Sequence, residues 1–189
     1  MVKLPNGRVW AYHGTSSAFA DEHLEKGIPT TTFPGDWLGH GAYFWEGDYY
    51  RAVTWAEERV VPKYGGDPIV LGAVIDLRRC LDLTRIVDRG LLFRAEAEMY
   101  ASLSSVERQA LKQSYHRRDV DCRAVNWLVA GAVDGDGQPL YNCVRGVFWE
   151  GGPLYVTDGG HESGIRTLDH IQINVTHPSA IKLIDYARL

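Results

Sequence analysis

Three short segments of the chain carry side chains that can bind a polar or flat ligand, and they lie far apart in the sequence. In the first, a histidine at a predicted strand end can hydrogen-bond a ligand hydroxyl, and the glycine after it lets a ligand approach the backbone. In the second, a glycine-rich turn leads into a strand whose tyrosine presents a ring face. In the third, alternation puts three polar side chains on one strand face. The segments are Tyr12-His13-Gly14-Thr15, Gly39-His40-Gly41-Ala42-Tyr43-Phe44 and Asp169-His170-Ile171-Gln172-Ile173-Asn174-Val175.

Each segment taken alone also has a purely structural explanation. His13 can be a partly buried histidine that ends a strand, Tyr43 can fill a core behind a hairpin, and the polar face of residues 170–175 can be solvated. The second segment is not a dinucleotide fingerprint, because that motif needs a glycine where this chain has Phe44. The chain also lacks the GxxxxGK[ST], HExxH and GxSxG motifs.

Aromatic rings are concentrated between residues 37 and 55. The chain has 6 Trp, 10 Tyr and 5 Phe, and this glycine-punctuated stretch holds more rings than a core of its length needs. The stretch therefore predicts one wall of a pocket for a flat ligand. The rings belong to Trp37, Tyr43, Phe44, Trp45, Tyr49, Tyr50 and Trp55.

Length and composition favour one globular domain, spanning 1–189. Apolar residues make up 45% and charged residues 23%, which excludes disordered, collagen-like, coiled-coil and membrane classes. The formal charge of −4 gives no overall basic balance for nucleic acid. Cys80, Cys122 and Cys143 form no CxxC pair, so we expect free thiols and no metal site. With no signal-peptide pattern and no apolar run of membrane length, a cytoplasmic location is expected.

The predicted elements are strands at both ends of the chain with helices between them. This order indicates an α+β fold rather than an alternating parallel sheet. We expect Ser16 or Ser17 to cap the first helix, and Asp48 to cap a second helix that Pro62 ends. Strands are predicted at 9–12, 42–45, 69–77, 143–149, 170–175 and near 181–186, and helices at about 17–26, 49–61, 86–114 and 123–130.

The order and spacing of the three segments resemble the diphtheria-toxin and poly(ADP-ribose)-polymerase branch of the ADP-ribosyltransferases. In that branch a His, a Tyr in a G-x-G-x-Y-F context and usually a Glu lie on separate strands and line an NAD cleft. The chain matches the first motif with His13-Gly14 and the second with Gly39 to Phe44. It also looks like bacterial, toxin-like proteins that carry DWLGHG-x-YFWE and HIQI. The resemblance implies a split, mainly antiparallel sheet with flanking helices.

The resemblance also implies residue roles. His13, Tyr43 and Gln172 would be the catalytic residues, with His13 on the adenosine ribose hydroxyls and Tyr43 stacked on the nicotinamide. The backbone of Gly14 would hold the carboxamide. The remaining NAD-binding residues implied are Thr15, Gly41, Tyr49, Tyr50, Ala52 and Trp55.

The third motif is where the chain departs from the family, because residues 170–175 contain no Glu and Gln172 is the best match. Gln172 can accept a hydrogen bond from a ribose hydroxyl but adds no charge beside an oxocarbenium-like transition state. Either a neutral acceptor suffices, or a carboxylate comes from elsewhere. His170 falls where some branches recognise the substrate. The candidate carboxylates are Glu46, Glu150, Glu162 and Asp169, with Glu150 and Glu162 also candidates for substrate recognition.

The expected function is NAD-dependent mono-ADP-ribosyl transfer, with NAD as co-substrate, by a bacterial toxin, effector or defence protein. The acceptor is a macromolecule, protein or nucleic acid, and a toxin would imply an antitoxin or immunity protein. The alternatives are an NAD glycohydrolase and an inactive module that binds NAD or ADP-ribose. Tyr115-His116-Arg117-Arg118 can contact a phosphate backbone or can belong to a solvated helix face.

Overall fold

A computed structural model of the chain describes residues 7–113 and 118–187. The strands are β1 (Arg8–Ser16), β2 (Ala42–Glu46), β3 (Pro68–Asp76), β4 (Cys80–Asp82), β5 (Cys143–Phe148), β6 (His170–Val175) and β7 (Ile181–Tyr186). The helices are α1 (Ala20–Lys26), α2 (Tyr49–Trp55), α3 (Val61–Tyr64), α4 (Ile86–Ser102), α5 (Ser105–Lys112) and α6 (Asp119–Gly131). A π-helical turn, Ala56–Val60, joins α2 to α3, and a 3₁₀ turn, Pro178–Ala180, precedes β7.

The strands form one sheet in the order β4-β5-β6-β2-β1-β3-β7. All neighbours are antiparallel except β4 and β5, which run parallel, so the predicted α+β class is confirmed. Strand β6 lies directly beside β2, with Tyr43 opposite Asn174 and Trp45 opposite Gln172. This pairing brings the second and third chemistry-bearing segments together.

The sheet opens between β1 and β2. These strands pair only at Ala11 with Glu46 and at Tyr12 with Trp45. Beyond Tyr12, β1 continues to pair with β3. Across the opening, Nδ1 of His13 lies 2.8 Å from the backbone oxygen of Tyr43. A side chain therefore links the two strands where backbone pairing has ended.

Both faces of β6 are buried. Ile173 and Val175 pack into a core with Phe44 of β2. On the other face Asn174 is fully buried, and its Nδ2 donates to the backbone oxygens of Leu38 and Gly39 at 2.7 and 3.0 Å. The alternative in which the polar face of 170–175 is solvated is therefore wrong, because the turn before β2 covers it.

The predicted capping of α1 is also wrong. Ser16 Oγ donates to the Gly65 backbone oxygen and Ser17 Oγ accepts from the Asp67 backbone nitrogen, so both hydroxyls hold the turn before β3. As a result α1 begins at Ala20 without a side-chain cap. Its predicted end at Gly27 is confirmed.

The helical stretch after β2 begins as predicted and continues past its predicted end. Asp48 accepts a hydrogen bond from the Arg51 backbone nitrogen at 2.9 Å and caps α2. Pro62 does not end the helical stretch: it follows the π-helical turn directly, lies in the first turn of α3, and the chain stays helical through Tyr64. The chain leaves the helix at Gly65, which has a φ of 76°.

The predicted helix 86–114 is two helices. Ser104 breaks it and caps α5, with its side chain and that of Glu107 forming a reciprocal capping box. Residue 114, the predicted end, lies outside the described residues. The predicted helix 123–130 is confirmed within a longer α6.

We expect Gly41→Ala to lower the free energy of unfolding by about 1–3 kcal/mol. A Cβ at residue 41 would overlap the Asn174 side-chain oxygen and the Val175 carbonyl, and both belong to β6. Urea unfolding followed by tryptophan fluorescence measures the change. Gly164→Ala is the control, because a Cβ there meets open space. Equal stability of the two variants would contradict this account of the turn.

Candidate active site

A cavity of about 320 Å³ lies where β1 and β2 separate. Its wall includes His13 from β1, Tyr43 from β2 and Gln172 from β6. The fold thus places one residue from each of the three distant segments around one space. Glu150 and Trp55, also singled out from the sequence, line the same cavity.

A second cavity, of about 760 Å³, adjoins the first. The two share His13, Pro29 and Trp55. Gly14 and Thr15 line this second cavity together with residues of α1. The two cavities therefore form an elongated, two-part site with the His13 ring at the junction.

His13 is held as a neutral hydrogen-bond acceptor. The Tyr43 backbone oxygen can only accept, so the hydrogen lies on Nδ1, and Nε2 of the neutral ring keeps its lone pair. Burial lowers the pKa of His13 to about 4, which outweighs the opposite effect of the Tyr43 carbonyl. Near neutral pH the ring is uncharged and offers Nε2 to a ligand hydroxyl.

The hydroxyl of Tyr43 is committed to the protein. It donates to the Gly39 backbone oxygen at 2.9 Å and accepts from the Leu38 backbone nitrogen at 3.0 Å. Burial raises the pKa of this phenol, and the nearby Asp36 carboxylate adds to the effect. Since the hydroxyl is fixed and protonated, the ring is the part of Tyr43 that can serve a ligand in the cavity.

Gln172 is anchored by a tryptophan of the cavity wall. Trp37 Nε1 donates to Gln172 Oε1 at 2.8 Å. An indole nitrogen only donates, which identifies the oxygen of the Gln172 amide. Its NH₂ group is left as a donor for a ligand, and the oxygen keeps one lone pair as an acceptor.

Among the four candidate carboxylates, only Glu150 lines a described cavity. Arg51 Nη2 donates to Glu150 Oε2 at 2.8 Å. The Glu150 backbone nitrogen donates to Asp169 Oδ1 at 3.2 Å. The Glu150 backbone oxygen accepts from the Leu168 backbone nitrogen at 3.2 Å. The residue is therefore fixed through both its backbone and its side chain.

The other three carboxylates have different places. Glu46 is ion-paired with Arg145 at 2.6 Å. Asp169 accepts from the Arg166 backbone nitrogen as well as from Glu150, and so holds the loop between β5 and β6 together. Glu162 is exposed in that loop.

Five further sequence-predicted residues line neither cavity. The first is Ala52, which lies beneath β1: a Cβ on Gly14 of that strand would overlap the Ala52 carbonyl. His170 is buried 5.1 Å from the Phe148 ring, and its Nδ1 donates to the Leu168 oxygen at 2.6 Å. The other three are Gly41, packed on β6, Tyr49, packed on Tyr12, and Tyr50, which is 71% exposed.

Arg51 is one of the site residues that sequence reasoning missed. An arginine in an amphipathic helix is expected in solvent, yet Arg51 is only 7% exposed and its guanidinium lies 5.6 Å from the Trp45 ring. The signal was its position four residues before Trp55, which puts both side chains on one helix face.

Further wall residues are Trp37 from the loop before β2, Phe148 at the end of β5 and Arg118 at the start of α6. Trp37 and Phe148 pack at 5.2 Å, and the Arg118 guanidinium lies 4.2 Å from the Phe148 ring. Arg118 therefore faces this cavity. The residues predicted beside it as a phosphate contact, 115–117, lie outside the described residues.

No protein-family model, curated protein or solved structure matches this chain. Across residues 7–113 and 118–187, no helix combines the length and the apolar character needed to cross a membrane. The same residues contain no cluster of three or more His, Cys, Asp or Glu side chains that could hold a metal ion.

The buried state of His13 predicts a pH dependence of stability. Because its pKa is about 4 in the folded chain against an ordinary 6.5, the unfolded chain binds a proton there that the folded chain does not. We expect the free energy of unfolding to fall as pH drops through this window. Urea titrations at stepped pH measure the fall.

His13→Gln, which cannot titrate, should show a shallower fall than the wild type. The matched control is His161→Gln at an exposed loop position, which should keep the wild-type slope. A wild-type slope in His13→Gln would contradict the assigned burial and protonation state.

Proposed function

We propose that the chain is an NAD-dependent mono-ADP-ribosyltransferase. The observation that carries the proposal is the convergence of His13, Tyr43 and Gln172, from three distant segments in the family's motif order, on one cavity. The cavity lies where antiparallel strands part, which agrees with the split sheet implied by the resemblance. The family assignment, the single domain, the cytoplasmic location and the toxin-like role are parts of this proposal.

The two-part site suits the two halves of NAD. The smaller cavity has aromatic walls, including Tyr43, Trp45 and Trp55, suited to the nicotinamide, and each ring pair contributes about 0.5–1.5 kcal/mol beyond area burial. The larger cavity is then the place for the adenosine. His13 stands between them, with Nε2 available to accept from a ribose hydroxyl.

In the proposed reaction the bond between the nicotinamide nitrogen and ribose C1′ breaks, and its electron pair leaves with nicotinamide. Positive charge then develops on the ribose, as in glycoside hydrolysis. An acceptor nucleophile forms the new bond at C1′ and loses a proton, which gives ADP-ribosylated acceptor, nicotinamide and H⁺. The protein's task is to hold the ribose between the departing nicotinamide and the incoming acceptor, and to stabilise the ribose cation.

Glu150 is the residue we assign to that stabilisation. It lines the cavity, and Arg51 binds one of its oxygens, so the second oxygen remains for the ribose. Arg51 is in turn fixed by the α2 cap and by burial against Trp45. Gln172 then orients the ribose through hydrogen bonds, while Glu150 supplies the negative charge that a glutamine lacks.

A second candidate is an inactive module that binds NAD or ADP-ribose. The hydrogen bond from Trp37 to Gln172 favours it, because part of the amide's accepting capacity is already used within the protein. NAD glycohydrolysis, with water as the acceptor, uses the same bond cleavage and differs only in what enters at C1′.

An incubation with NAD labelled on the adenylate separates these functions. The protein is mixed with labelled NAD and cell lysate, and portions are treated with nuclease or protease. Label in protein or nucleic acid supports the transferase and identifies the acceptor class. Free ADP-ribose alone supports the hydrolase. Intact NAD with a raised melting temperature supports the binding module, and intact NAD with no shift contradicts the cleft assignment.

His13→Ala and Tyr43→Ala should each lower NAD turnover by roughly 100-fold or more, because the cleft loses its ribose contact or its stacking ring. Nicotinamide release measures turnover, and circular dichroism checks that each variant is folded. Tyr50→Ala is the matched control, since this neighbouring tyrosine is 71% exposed and lines neither cavity. Full turnover in folded Tyr43→Ala would overturn the assignment.

Gln172→Glu should keep NAD turnover or raise NAD hydrolysis, since a carboxylate can still accept the hydrogen bond from Trp37.

Glu150→Gln should lower kcat by roughly 10²–10³ while NAD binding changes little, because the carboxylate acts on charge that appears only in the transition state. Glu162→Gln, exposed in the same loop, serves as the control. A Glu150→Gln variant with wild-type kcat would show that the charge comes from another group.

A further inference from the structure

Helix α4 buries one side and leaves an apolar row on the other. The buried side includes Ala95 and Met99. The row is spaced at i, i+4, i+7 and i+11, and its two large members, Ile86 and Phe93, are 78% and 75% exposed. Large apolar side chains that are exposed in a row with polar residues beside them are a feature of interaction surfaces. The α4 row consists of Ile86, Gly90, Phe93 and Ala97.

The α4 row is complementary to itself when two copies run antiparallel. Phe93 of one copy then meets Gly90 of the other, and Ile86 meets Ala97, because both pairs are centred on the same point of the helix. Each contact joins a large side chain to a small one. Nothing lies within 4 Å of the position that a Gly90 Cβ would occupy, so the helix has an open notch there for the ring.

The charges beside the α4 row also favour antiparallel pairing of two copies. Arg89, in the first half of the helix, and Glu96, in the second half, flank the row on one side. In the antiparallel register given above, Arg89 of each copy lies about 3 Å along the axis from Glu96 of the other, within reach of their long side chains. Parallel pairing in register sets like charges together. Within one chain the two residues are seven positions, or about 10 Å, apart along the axis, too far for a close ion pair.

We propose that the α4 row is the interface of a two-fold symmetric homodimer, with the α4 helices of the two copies antiparallel. Size matching and charge matching both select a second copy of this chain as the occupant, since each half of the row supplies what the other half lacks. Residues of the row line neither cavity of the candidate site, so the dimer does not depend on the proposed function.

Sedimentation equilibrium of the wild-type chain over a wide concentration range should show a monomer–dimer equilibrium. Phe93→Asp should raise the dimer Kd about 100-fold, because two rings lose their burial in each dimer. Val106→Asp is the control, since Val106 is 76% exposed on α5 and lies outside the row. A wild-type chain that stays monomeric, or a dimer that Phe93→Asp leaves intact, overturns the proposal.

A charge exchange tests the orientation and the identity of the occupant. Arg89→Glu makes the row's flank acidic and Glu96→Arg makes it basic, so each variant alone should dimerise more weakly than the wild type. An equimolar mixture of the two should form a heterodimer with near wild-type affinity. Parallel helices, whose wild-type form pairs like charges, would instead give a heterodimer tighter than the wild type, and that result overturns the antiparallel arrangement. Failure of the mixture to associate more strongly than either variant alone overturns the antiparallel arrangement.

Discussion

The parting of β1 from β2 is the constraint on which the candidate site depends. Two residue pairs join the strands, and the His13 side chain then makes a contact in place of the backbone pairing that would have followed. This contact between a side chain and the backbone leaves the space for the cavity and fixes the protonation of His13 at the same time. Because the Tyr43 carbonyl requires a hydrogen on Nδ1, the residue that links the strands is also held in the one neutral tautomer that leaves Nε2 as an acceptor.

A second set of contacts joins the loop before β2 to strand β6. Asn174 holds the Leu38 and Gly39 carbonyls, Tyr43 closes the same turn with its hydroxyl, and Trp37 binds Gln172. Polar groups on the inner face of β6 thus serve first as anchors for a glycine-rich turn. The glycines are needed for this close approach, so part of what reads as a ligand-binding signature in the sequence is a requirement of packing.

Local signals predicted the fold well where the deciding interaction was local. Asp48 caps the helix beside it, Gly27 ends α1, and the alternating residues 170–175 form β6. The failures concern residues whose partners are distant in sequence. Ser16 binds the turn before β3 instead of capping α1, and Arg51 is buried because Glu150, nearly a hundred positions away, accepts its hydrogen bond.

Within the site, the motif residues His13, Tyr43 and Gln172 were found by type and spacing. The carboxylate was left open among four candidates, since only tertiary pairing distinguishes Glu150 from Glu46, which another arginine binds.

The aromatic walls of the cleft also affect the intrinsic fluorescence of the protein. Trp37, Trp45 and Trp55 line the smaller cavity, and the chain has 6 tryptophans in all. Half of its tryptophans therefore lie at the site. Trp37 is hydrogen-bonded to Gln172, and the ring centroids of Trp45 and Trp55 are 5.5 Å apart. The ultraviolet fluorescence of the unlabelled chain is consequently weighted toward the cleft, so that occupancy of this one region can be followed without attaching a dye.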